Sequence, residues 1–241
     1  MAISKHYIDL VQTRRSVRKY DSSADFNHDD VQHALELALM SPNSSNMQLW
    51  RFHRVIDSEK RARLADYCMG QNAAKTANEL VVVTVTPQYW QQRAKMNAEQ
   101  VRRAFAGRED ATAKRALKYY EKLIPTLYNN DQFGVRGWIR KAFTWWIGRK
   151  KPMVREVSKQ DLRVCLHKST SLAAMTFMLA MRDMGYDTCA MEGFDSKRVK
   201  SLLSLDNHDE ITMIISCGVR AEDGIYSERH RVDNQAVITC H

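Results

Sequence analysis

A chain of 241 residues, 44% hydrophobic and 27% charged, has the composition of a globular protein and is long enough to bury a substantial core. Its net charge of +9 favours anions near the surface but does not choose among nucleic acid, anionic lipid and a phosphorylated ligand. Cysteines 68, 165, 189, 217 and 240 are scattered and form no C-x-x-C pair, which argues against a disulfide scaffold or a zinc site and for a reducing compartment.

The start, "MAISKHYIDLVQ", is charged too early for a secretory segment, and no apolar run approaches the ~20 residues of a membrane span. A cytoplasmic protein is expected. Residues 3 to 13 place Ile3, Tyr7, Leu10 and Val11 at helical spacing. "RRSVRKY" follows where that helix should end, with Arg14, Arg15, Arg18 and Lys19 around Ser16 and no acid before Asp21. "FNHDDVQHALELALMSP" predicts a second helix, capped by Asn27, with Val31, Leu35, Ala38 and Leu39 as its apolar stripe. Pro42 and "NSSN" break it into a polar loop. "WRFHRVID" alternates as a half-buried strand does, and "ELVVVTVTP" is a β-branched run expected to be buried on both faces.

Residues 90 to 160 are rich in Arg, Lys and aromatics, with weak helical periodicity. They read as a helical insertion, a lid or dimer arm, within one domain spanning 1–241. Leu162 to Met184 is apolar nearly all round in its second half, which predicts a helix buried inside the domain and closed by Gly185. "DTCAMEGFD" reads as a short strand and turn. Asp195 caps a helix with Val199, Leu202 and Leu203 inward, and "EITMIISCGVR" is another buried strand. The tail turns strand-like at its end. The order is helix, helix, strand, strand, helices, strand, helix, strand: an α+β fold, a small sheet wrapped by helices.

Three stretches could carry chemistry. Arg14, Arg15, Ser16 and Arg18 at one end of the chain, and Arg229, His230 and Arg231 at the other, could converge on one phosphate, because guanidinium forks bind its oxygens bidentately. Two solvated charge runs would look the same. The amides and hydroxyls of Asn43, Ser44, Ser45, Asn46 and Gln48 could read the edge of a polar heterocycle, or simply form a turn before the core aromatics Trp50 and Phe52. Glu192-Gly193 after a strand gives a backbone that a flat ligand can approach closely.

Taken in order, "RRSVRKY", "SPNSSNMQLW", "GQ" before a β-branched strand, "MEGFD" and "ERHR" resemble the FMN-dependent nitroreductase family over most of the chain, excepting residues 90 to 160. The resemblance implies a mostly antiparallel central sheet, a long central helix and a domain-swapped type of homodimer with FMN at its interface. It implies that Arg14, Arg15 and Ser16, with Arg229 and Arg231, bind the FMN phosphate and ribityl chain. Arg18 would lie near the flavin pyrimidine edge as a fixed cation. Pro42, Asn43, Ser44 and Asn46 would come from the partner subunit. Gln71 would read the pyrimidine end, Met191, Glu192 and Gly193 would lie against one ring face, and Ser169 would contribute from the long helix. Leu49 stands where members often carry proline.

By the same resemblance NAD(P)H would reduce the flavin and a nitroaromatic, a quinone or another flat conjugated acceptor would reoxidise it, with no side-chain nucleophile and no metal. A same-fold reductive dehalogenase or flavin-modifying enzyme is the alternative. No nucleic acid or membrane is expected as a partner. Trp138, Trp145 and Trp146 in the insertion could pack on the domain, form a lid, or lie on a membrane surface.

Overall fold

The computed structural model describes residues 4–106, 110–131 and 133–241, so Ile3 lies outside the described residues. Helix α1 (Lys5–Thr13) leads into the basic segment, and α2 (His28–Ala38) starts at Asn27, whose side chain accepts from the Asp29 N–H at 3.0 Å. Val31, Ala34, Leu35 and Ala38 form its buried stripe. Leu39 does not join them: it is the C-cap residue, where the helix has already turned its side chain out to solvent.

Strand β1 (Trp50–Val55) is followed by α3 (Ser58–Tyr67) and α4 (Asn72–Lys75), then by β2 (Glu79–Val85). Periodicity misses α3 because it buries only Leu64 and Ala65. Its start is set instead by Asp57, which accepts from the Lys60 N–H. The helical segment contains α5 (Trp90–Ala104) and α6 (Ala111–Lys118), which runs through a π-helical turn at Tyr119–Leu123 into α7 (Ile124–Tyr128), and then α8 (Val135–Ile147).

Helix α9 (Lys159–Asp183) opens with a capping box between Ser158 and Asp161. It closes in a Schellman motif: Gly185, at φ 90°, donates to Arg182 and Tyr186 to Met181. By length and composition α9 could cross a membrane, contrary to expectation, yet it packs against α2 and the sheet. Nor is it buried all round. Thr170, Ala173, Ala174, Phe177 and Met181 face inward, while Leu172 and Met175 stay exposed on the single chain.

Strand β3 (Asp187–Met191), helix α10 (Ser196–Leu203) and strand β4 (Glu210–Gly218) complete the fold. The sheet order is β1-β2-β4-β3 and every pair is antiparallel. Alternation along β2 explains its complete burial. Leu80 and Val82 face the core shared with Leu64, Ala73 and Val199, whereas Val81 and Val83 face Leu35, Phe177 and Met181. Each such side chain contributes roughly 1.5–3 kcal/mol when fully buried. A third cluster, with Met47, Leu49, Val85, Ile124 and Leu166, ties the loop after α2 to the helical segment.

A further expectation fails, and one of the three readings of the tryptophans is excluded. The tail forms a short 3₁₀ turn at Asn234–Ala236 and no strand, and Val237 and Ile238 are exposed. Helix α8 does not pack its tryptophans on the domain. Trp138, Trp145 and Trp146 are 79%, 57% and 66% exposed, while Gly137 and Thr144 take the buried side.

Candidate functional site

The segment after α1 is extended and lies along the far edge of the sheet. Ser16 forms a parallel bridge with Thr188 of β3, Val17 N–H donates to the Thr188 carbonyl, and Arg18 N–H donates to Gly224 at 2.7 Å. Buried Val17 and Tyr20 anchor it from below, leaving Ser16 and Arg18 exposed on the other side. This alternation is what turns a basic sequence run into a basic surface.

The chain's end folds back onto this segment. Arg15 Nη2 donates to the Ser227 carbonyl at 2.5 Å, and Arg229 donates to the carbonyls of Val11 and Arg14, which are left without helical partners at the end of α1. Arg14, Arg15, Ser16 and Arg18 therefore meet Arg229 and Arg231 around one cavity of about 450 Å³, together with Tyr226. None of these five arginines forms an ion pair among the described residues. The guanidinium groups of Arg14 and Arg18 have no hydrogen-bond partner there either. Burial, followed by the charges of Arg229 and Arg231, lowers the pKa of Arg14. The cavity also has Glu228 in its lining, but this acid is paired with none of the five among the described residues, and the excess of cations is what a phosphate dianion would relieve.

Beside this cavity Gln71 and Gly193 come together. Gln71 Nε2 donates to the carbonyls of Cys68 and Gly193, both at 3.0 Å. The neighbouring Asn72 Nδ2 donates to the Tyr226 hydroxyl at 3.2 Å. Met191 is buried at the end of β3, and the chain emerges at Glu192 and Gly193, which are exposed. A flat ring could therefore meet backbone there without a side chain intervening. Tyr226 and the Ser227 carbonyl went unrecognised in the sequence, although they sit inside the "IYSERHR" run.

The loop after α2 lies elsewhere. Ser45, Asn46 and Gln48 all hold positive φ, a strained path fixed by surrounding bonds. Asn43 Oδ1 accepts from the Gln48 N–H at 2.8 Å, Ser45 Oγ meets the Tyr119 hydroxyl at 2.5 Å, and Asn97 Nδ2 donates to the Asn46 carbonyl at 2.8 Å. Ser169 Oγ accepts from the Ser44 N–H at 3.1 Å, so this residue of α9 supports the loop. Pro42, Ser44 and Asn46 are exposed, and none of the loop lines the basic cavity of its own chain. On the single chain the loop and the basic cavity are separate.

The residues fit a flavin mononucleotide: the arginine cavity suits its phosphate, and the amides of Gln71 and the open backbone at Gly193 suit a flat heterocycle. Comparison with known proteins points the same way. A model of the family described as "Nitroreductase family" matches residues 11–219. The chain is 25% identical over 213 residues to "Putative NAD(P)H nitroreductase MhqN" of Bacillus subtilis, covering 88% of this chain and 87% of that one. The crystal structure of ydfN from Bacillus subtilis shares the fold with a TM-score of 0.74 at 21% identity, covering 98% of each chain. A structure from Exiguobacterium sibiricum, described as "a putative nitroreductase in complex with FMN", has a TM-score of 0.67 at 20% identity and covers 100% of this chain and 99% of its own.

Proposed function

The chain belongs to the nitroreductase family, and on that premise we propose that it is a homodimeric FMN-dependent oxidoreductase that uses NAD(P)H to reduce nitroaromatics, quinones or similar flat conjugated acceptors. The observation that carries this reading is the convergence of Arg14, Arg15, Arg18, Arg229 and Arg231 on one cavity without a carboxylate paired to any of them among the described residues.

The chemistry that bound FMN supplies is a two-electron hydride relay, with donor and acceptor occupying one place in turn. The chain supplies binding, orientation and charge. Arg14 and Arg15, with Ser16 and Arg231, would hold the phosphate, and Arg229 fixes the tail that brings Arg231 to the cavity. The Arg18 guanidinium, without a hydrogen-bond partner among the described residues, would stand as a fixed cation against negative charge that develops during reaction. Gln71 and the Met191-Glu192-Gly193 turn would position the ring.

The separation of the polar loop from the cavity supports a dimer. Tyr7, Ile8 and Val11 of α1 and Leu172 and Met175 of α9 are exposed on the single chain, and a second copy would cover this apolar surface. The same pairing would bring Pro42, Asn43, Ser44 and Asn46 of one copy to the cavity of the other. The test is direct: purified protein should be yellow, release FMN on denaturation, and bleach with NADH or NADPH. A colourless protein that cannot be reconstituted with FMN would overturn the reading.

A further inference from the structure

Helix α8 is built inside out. Its small or polar residues Gly137 and Thr144 pack on the fold, with Gly137 against the backbone of Ser158 and Lys159. Arg140 is anchored on the same side, donating Nε to Val157 and Nη1 to Thr126 at 2.8 and 3.0 Å. Trp138, Ile139, Phe143, Trp145 and Trp146 are left exposed. At about 100° per residue these five side chains fall in an arc of roughly 160°, so they make one continuous apolar face, of the kind that marks an interaction surface.

Cations outnumber acids around that face, where Asp161 pairs with Lys141 and Asp131 caps the start of the helix. Residues 132 to 155 contain seven cations and no acid. Arg136 and Lys141 stand on opposite borders of the apolar arc. Arg149 lies 3.7 Å over the ring of Trp145, and exposed Lys150 and Lys151 follow. A second copy meeting this helix through its own α8 would set cations against cations. An anionic bilayer matches both properties, because indole rings settle at the headgroup level and each basic residue near the surface adds attraction to acidic lipid.

We propose that α8 docks this protein onto a bilayer bearing anionic headgroups, with the tryptophan face inserted at the headgroup boundary and the flanking cations on the phosphates. This departs from the expectation that no membrane takes part, and takes up the membrane-surface reading of the three open for these tryptophans.

The test is flotation of the full-length protein with vesicles of phosphatidylcholine, alone and mixed with phosphatidylglycerol. The protein should float only with the mixed vesicles, be released by raised salt, and show a blue-shifted tryptophan emission when bound. Trp138→Ser with Trp146→Ser, and separately Lys150→Glu with Lys151→Glu, should each keep the wild-type circular dichroism and lower partitioning by about tenfold or more. Wild type that stays unbound with mixed vesicles would overturn the proposal, as would tryptophan variants that float like wild type. If the tryptophan variants change the oligomer in lipid-free sedimentation, the face is a protein interface and the proposal also fails.

Discussion

Gln71 and Gly193, 122 positions apart, are joined by a 3.0 Å bond from the side-chain amide to the backbone carbonyl. The bond spans from the turn before α4 to the turn after β3, so two of the proposed ring-binding elements hold each other. Gln71→Ala removes this bond and the one to Cys68. Each is worth about 1 kcal/mol net, so the fold should survive while FMN retention falls. Flavin content and melting temperature, measured together, check this; a large fall in melting temperature with normal flavin content would make Gln71 a structural residue only.

Arg14 and Arg18 should separate in their effects. Arg14→Ala removes a free cation from the arginine cavity and should raise the FMN dissociation constant roughly 10- to 100-fold, the range for a hydrogen bond to a charged group. Arg18→Ala should keep most of the FMN and slow its reduction by NAD(P)H by on the order of tenfold or more. Equilibrium titration and stopped-flow reduction read the two. Equal loss of FMN with normal reactivity of the remainder would refute the division.

Glu79 is fully buried and receives two bonds from Arg54, at 2.6 and 3.0 Å, and one contact from His28 at 2.7 Å. Arg54→Ala strands that carboxylate at the start of the central strand β2. Breaking such a pair costs about 3–5 kcal/mol, so urea unfolding should show a large loss of stability. A change under about 1 kcal/mol would mean that His28 alone suffices.

Lys19 and Asp223 form a 2.7 Å ion pair that ties the basic segment to the tail. The hydrogen bond and charge of Asp223 raise the Lys19 pKa, and Lys19 lowers that of Asp223. The lowered carboxylate stabilises the fold above its unfolded value of about 3.9, and this is lost as pH falls through the folded value. The raised lysine stabilises below about 10.4 and loses its effect as pH climbs through its own folded value. Asp223→Asn should therefore differ from wild type in melting temperature near neutral pH, by a small amount, and converge with it in strong acid. A difference that persists below pH ~2 would exclude the ion pair as its cause.

Much of the fold is written locally. Caps at Asn27, Asp195 and Gly185, and the β-branched run of β2, each identify an element by themselves. Helix α3 was hidden because it is held by one cap and two apolar contacts. The tail ending in "AVITC" has strand-forming residues but pairs with no strand of its own chain. The outward face of α8 was unreadable because periodicity finds an apolar stripe without saying whether it meets the core. At the site, residue types marked the two basic clusters and the polar loop. Their joining through backbone carbonyls, Arg15 to Ser227 and Arg229 to Arg14, leaves no trace in side-chain identity.

The bridge between Ser16 and Thr188 has a second effect. Strand β3 ends the sheet, and its outer backbone would otherwise be open to pairing with any extended chain. The arginine segment occupies that position, so it guards the edge against aggregation as well as being the proposed phosphate cradle. It is held there partly by a tail whose cations repel it, and a bound phosphate would quiet that repulsion. If the proposed cofactor binds there, its retention and colloidal stability are coupled through one stretch of chain, and protein stripped of its anion is the form expected to clump on storage.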